Sequence, residues 1–120
     1  MVDDRADNLK LMGMILEPSG YEVTLVANGL DALTAARTER PDLIISDIHL
    51  AEGTGYDLLA ELRLDQAMST VPVVLISSSL PSGRTGRRHV DLGARDLIVR
   101  PIDADELLAR VAAILDPEGD

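Results

Sequence analysis

The residues able to do chemistry in this chain stand far apart, and each closes an apolar run. Asp3 and Asp4 sit side by side in "MVDDRADNLK", Asp47 ends "PDLIISD", Ser77 ends "VPVVLIS", and Arg100 follows "DLIV" just ahead of Pro101. Brought to one place, three carboxylates repel, and such a group is stable only with positive charge among them. Hard divalent cations take oxygen ligands of this kind, so Mg²⁺ is the expected companion. A hydroxyl and a guanidinium would stand at the same rim.

Positioning five such residues requires a regular frame. Leu9, Met12 and Leu16 recur at helical spacing until Pro18-Ser19-Gly20 breaks the pattern, and "YEVTLVA" behind them has the β-branched content of a strand. Asn28-Gly29 opens a second amphipathic helix with Leu30, Leu33 and Ala36 on one side. "RPDLIISDI" and "VPVVLIS" read as strands buried on both faces. Between them "YDLLAELRL" places Leu58, Leu59 and Leu62 on one helical face. "SSLPSGRTGRRHVDLG" reads as a loop running into a short helix, and "ARDLIVR" as the last strand. Asp103 to Glu106 forms a capping-box-like start to a final helix with Leu107, Val111, Ile114 and Leu115 as its buried stripe. Strict alternation of short apolar strands with amphipathic helices predicts an α/β fold, a parallel sheet joined by right-handed crossovers with helices on both faces. In such a sheet the ligand site lies at the carboxyl ends of the strands, where the five residues stand.

The bulk composition sets the class. A chain of 120 residues makes one domain, assigned here to 1–116, with 117–120 as a flexible tail. Hydrophobic residues at 46% and charged residues at 27% fit a folded soluble protein. A net charge of -10 excludes nucleic acid as a direct partner, because that binding rests on neutralising phosphates. The absence of cysteine suits a reducing cytoplasm, and no apolar run is long enough to span a membrane.

The acidic pair "DD", the stretch "PDLIISDIHLAEGTGYDLL", the strand "VPVVLISS" and the segment "RPIDADELLARV", in that order, resemble the receiver domain of two-component response regulators from Asp3 to about Leu115. The resemblance implies a flavodoxin-like, five-stranded parallel sheet in the order 2-1-3-4-5. It implies that Asp47 is the phosphoacceptor, taking its phosphoryl group from a histidine kinase or histidine phosphotransfer protein. Asp3 and Asp4 would organise Mg²⁺, with Asp4, Asp47 and the backbone carbonyl of His49 as ligands. Ser77 would hydrogen-bond a phosphoryl oxygen, and Arg100 takes the place of the family's lysine. Downstream there would be a protein target or an output domain outside the chain.

Several positions depart from that pattern. Arginine prefers a planar two-pronged grip on carboxylates where lysine is a compact point charge. The alternative function is therefore a pseudo-receiver, a binding module in which Arg100 pairs with the acidic cluster and Asp47 stays unmodified. Leu97 stands where many receivers carry an aromatic switch residue and reads as packing, and Ala51 replaces a common proline. A hydrolase on a similar sheet would want a carboxylate two residues after the nucleophile, where this chain has His49. Arg84, Arg87, Arg88 and His89 form a basic cluster that reads as a solvated helix face. Only Met1 and Val2 precede Asp3, so the first strand is expected to be truncated or missing, leaving its neighbours unpaired and allowing a strand-exchanged dimer.

Overall fold

The computed structural model describes residues 1–50, 53–78 and 93–115. The basic cluster, Ala51, the loop-and-helix segment after Ser78 and the tail lie outside them. Eight elements follow in order: α1 (Ala6–Leu16), a 3-10 turn (Glu17–Ser19), α2 (Gly29–Glu39), β1 (Ile44–Asp47), α3 (Gly55–Leu64), β2 (Val73–Ser77), β3 (Asp96–Val99) and α4 (Ala104–Leu115). Among the described residues the named strands form a parallel sheet in the order β1-β2-β3. Ile44 stands level with Val73 and Asp47 with Ile76, while Ser77 stands level with Val99.

The alternation of side chains along these strands divides the interior into two cores. Ile44, Val73 and Leu75 pack with Ala32, Leu33 and Ala36 of α2 and Leu58, Leu59 and Leu62 of α3. Ile45, Val74, Ile76 and Ile98 pack on the other face with Met12 and Leu16 of α1 and Leu107 and Val111 of α4. This is the expected α/β fold. Leu97 packs against the first of these cores, Ile114 and Leu115 only partly bury against the second, and Leu30 departs from its expected stripe at 75% exposed.

The first strand is reduced, not absent. Val2 forms parallel bridges to Val26 on one side and Ser46 on the other. The Val2 amide donates to the Ile45 carbonyl (2.7 Å) and the Asp47 amide to the Val2 carbonyl (2.9 Å). On the other side, Asp3 donates to Val26 (3.1 Å), Val26 to Met1 (3.0 Å), and the Met1 ammonium to the Thr24 carbonyl (3.0 Å). The order 2-1-3-4-5 is thus present, with its first two members shrunk to a few contacts. The strand expected for "YEVTLVA" is not formed as such: the segment pairs only through the bridge at Val26.

Caps fix the helix starts. Asn28 accepts from the Asp31 amide (2.8 Å), and Thr54 and Asp57 form a reciprocal capping box that opens α3. Asp103 accepts from the amides of Asp105 and Glu106, while the Glu106 carboxylate takes Arg110 instead (2.8 Å). Arg63, near the end of α3, donates to the carbonyls of Val71 and Gly93, both at 3.0 Å, fastening the starts of β2 and β3 together. Among the described residues, no helix is long and apolar enough to cross a membrane.

Leu59, fully buried between α3 and the sheet, and Leu30 make a matched pair for denaturant unfolding. Leu59→Ala is expected to cost about 3 kcal/mol through the cavity it opens. Leu30→Ser should move stability by no more than about 0.5 kcal/mol.

Candidate functional site

Asp47 is the last residue of β1, Asp3 follows the Val2 bridge one strand over, and Arg100 follows β3 across the sheet. Crossovers leave all three at the same rim. There the Arg100 guanidinium spans both acids: Nη1 donates to Asp47 Oδ2 at 2.6 Å and Nη2 to Asp3 Oδ2 at 2.8 Å. The Asp3 side chain is 0% exposed and that of Asp47 9%, whereas Arg100 is 23% exposed at the mouth. The remaining carboxylate oxygens take backbone amides, Asp3 Oδ1 from Arg5 (2.9 Å) and Asp47 Oδ1 from His49 (2.8 Å). Each acid is therefore held by one oxygen to its own loop and by the other to a shared cation.

Burial drives this arrangement. Desolvation pushes the Asp3 carboxyl above the usual carboxylate range, and the neighbouring Asp47 charge adds to the rise; the Arg5 amide and Arg100 pull the other way. The planar fork of arginine presents one N–H group to each acid at a fixed spacing, where an ammonium would be a single compact charge.

The other predicted residues stand nearby in different states. Ser77 is buried at the end of β2, one residue beyond the level of Asp47, and its carbonyl accepts the Arg100 amide (2.8 Å). Asp4 is exposed, and so is the side chain of His49. The expected gathering of three carboxylates is a pair: among the described residues, no group of three or more His, Cys, Asp or Glu side chains is arranged to hold a metal ion. The donor chemistry nonetheless suits a hard cation, since two buried carboxylates face one point at the rim.

Gly55, outside the set of residues expected at the site, sets the site's depth. A Cβ there would stand 2.5 Å from the Asp47 carbonyl oxygen and 3.1 Å from Ile48 Cα. The Gly55 amide donates to the Ile48 carbonyl (2.7 Å), so the start of α3 lies directly against the backbone of the acid-bearing loop. "T-G-Y-D", a capping-box spacing with glycine at its second place, is the signal that marks this position.

The family model of the response regulator receiver domain matches residues 1–112. Polar-differentiation response regulator DivK of Brucella anthropi is 33% identical over 115 residues, covering 96% of this chain and 93% of DivK. Protein PilH of Pseudomonas aeruginosa is 30% identical, covering 96% and 94% of the two chains. DNA-binding response regulator MtrA of Mycobacterium tuberculosis is 34% identical, but this chain spans only 49% of it. Among solved structures, the signal receiver domain of a signal transduction histidine kinase from Syntrophus aciditrophicus superposes with a TM-score of 0.87 at 33% identity, covering 98% of this chain and 88% of that one. Chemotaxis response regulator CheY4 of Vibrio cholerae gives 0.87 at 26% identity, covering 94% and 93%.

Removing the shared cation leaves two desolvated carboxylates facing each other. In metal-free buffer Arg100→Ala should lose about 3 kcal/mol of unfolding free energy, with Arg100→Lys intermediate. Because folded Asp3 keeps its proton to higher pH than the unfolded chain, its contribution is fully present at low pH. It is lost as pH rises through the folded value. Asp3→Asn should flatten that part of the stability profile in denaturant titrations across the acid range.

Proposed function

Because this chain belongs to the response regulator receiver family, we propose that it takes a phosphoryl group onto Asp47 from the phosphohistidine of a histidine kinase or phosphotransfer protein. Receivers are signalling domains of two-component systems, and the reading assigns this one a conformational output. The observation that carries it is the buried Asp47 carboxylate at the sheet rim, with one oxygen pinned by the His49 amide and the other held only by a side chain that can let go.

In this reading Asp47 Oδ2 leaves Arg100 Nη1 and attacks phosphorus in line with the departing imidazole nitrogen. The P–N bond breaks as the acyl O–P bond forms, and the electron pair of the broken bond stays on the imidazole. Asp3, Asp4, Asp47 and the His49 carbonyl are the residues that would hold Mg²⁺, which when bound supplies the positive charge that lets one anion approach another. Arg100, tethered through Asp3, stays close enough to turn its freed N–H toward the transferred group. The Ser77 hydroxyl would donate to a phosphoryl oxygen, and its backbone link to Arg100 carries that change into the start of the segment leading to α4.

The nearly full-length match to DivK and PilH supports a domain that works as a single unit. The match to half of MtrA supports one that can also be carried by a larger regulator.

Intact-mass spectrometry after incubation with acetyl phosphate and Mg²⁺ tests the reading. The chain should gain the mass of one phosphoryl group, Asp47→Asn should gain none, and chelation of the metal should abolish the gain. An unchanged mass in the parent chain overturns the reading in favour of a binding module held shut by Arg100.

A further inference from the structure

The outward side of α1 carries apolar surface that no part of the described chain covers. Leu11 and Met14 are more than half exposed, and Leu25, on the neighbouring 21–26 segment, stands with them. These are three of the five large apolar side chains exposed among the described residues. Between α1 and Leu25 lies a recess lined by Lys10, Gly13, Met14, Glu17, Pro18 and Leu25. Gly13 gives it no side chain: a Cβ there would stand 3.5 Å from Glu17 Oε1 and 3.7 Å from Leu25 Cδ1.

We propose that this face is a self-association surface, and that its occupant is α1 of a second copy of this chain, packed antiparallel across a two-fold axis. The pattern along the helix defines that partner. Lys10, Gly13, Met14 and Glu17 are spaced by three, one and three positions and so share one face. The midpoint between Lys10 and Glu17 is also the midpoint between Gly13 and Met14. An antiparallel copy centred there sets Lys10 of each chain against Glu17 of the other, and Met14 of each over the Gly13 recess of the other. Projection and recess, cation and anion, thus lie on the same patch, as a two-fold interface requires. A parallel copy would instead oppose lysine to lysine and glutamate to glutamate.

The two charges are available for that exchange. Lys10 is the chain's only lysine. Among the described residues neither Lys10 nor Glu17 has an ion-pair partner, whereas the neighbouring Asp7 is taken by Arg5.

Size and net charge set the strength. Two single-helix faces fall short of the roughly 1,600 Å² of a standard interface, so the pair is weak and reversible. Each copy also carries a charge of -10, and physiological salt screens the resulting repulsion beyond about 8 Å while leaving contact pairs in place.

Sedimentation equilibrium of the 120-residue chain at physiological salt should show a monomer–dimer equilibrium in a dilution series descending from millimolar concentration. Lys10→Glu and Glu17→Lys should each weaken it about ten-fold, since each turns two attractive contacts into two repulsive ones. The double exchange Lys10→Glu, Glu17→Lys keeps the net charge and should restore the parental affinity. An equal mixture of the two single variants should pair better than either alone. Gly13→Ala, which meets only ordinary contacts within its own chain, should weaken pairing while raising the unfolding midpoint of the dilute monomer. A carbodiimide should join Lys10 of one copy to Glu17 of the other, and Lys10→Arg should lose that bond while still sedimenting as a dimer. A chain that stays monomeric throughout the series overturns the proposal. So do single variants that pair as the parent does, or a double exchange that fails to restore pairing; either result would assign any dimer to another surface.

Discussion

Two carboxylates buried at the rim of a parallel sheet cannot stay charged without a cation between them, and Arg100 supplies it from the far side of the fold. Its two prongs reach Asp47 at 2.6 Å and Asp3 at 2.8 Å, acids that stand 53 and 97 positions away in sequence. The contact closes the site electrostatically and also ties the ends of three chain segments together. The chemistry and the architecture thus share one interaction.

That interaction exists because the strands are parallel. Every crossover returns the chain to the same edge of the sheet, so residues that close successive strands are neighbours whatever their separation in sequence. The depth of the site is then set by contact of backbone with backbone. Gly55 lets α3 begin against the Asp47 carbonyl, and the Thr54–Asp57 capping box fixes that start. A side chain at residue 55 would push the helix away from the loop that holds the Asp47 carboxylate.

Much of this was legible because strands buried on both faces are continuously apolar. "DLIISD", "VPVVLIS" and "DLIVR" announce themselves, and their last residues name the site. What was not legible depends on partners rather than on residue type. "YEVTLVA" has strand composition, but strand pairing needs a partner as well as residue type, and the segment makes one bridge, at Val26. Leu30 matches the period of α2 while standing outside the core that Ala32, Leu33 and Ala36 enter. Asp4 matches its neighbour in type, but side chains of adjacent residues diverge, and only Asp3 turns inward. The role of Arg63 was invisible because its acceptors are backbone carbonyls, which leave no mark on a sequence.

Arg63 also determines where the molecule is able to yield. By clamping the carbonyls of Val71 and Gly93 it locks the amino ends of β2 and β3, the edge of the sheet opposite the acids. Burial lowers the Arg63 pKa by disfavouring the charged form, yet a guanidinium stays protonated at physiological pH, so the clamp does not loosen with physiological acidity. The two ends of the sheet are therefore fastened by different arginines: Arg63 grips backbone at the amino edge, and Arg100 grips side chains at the carboxyl edge.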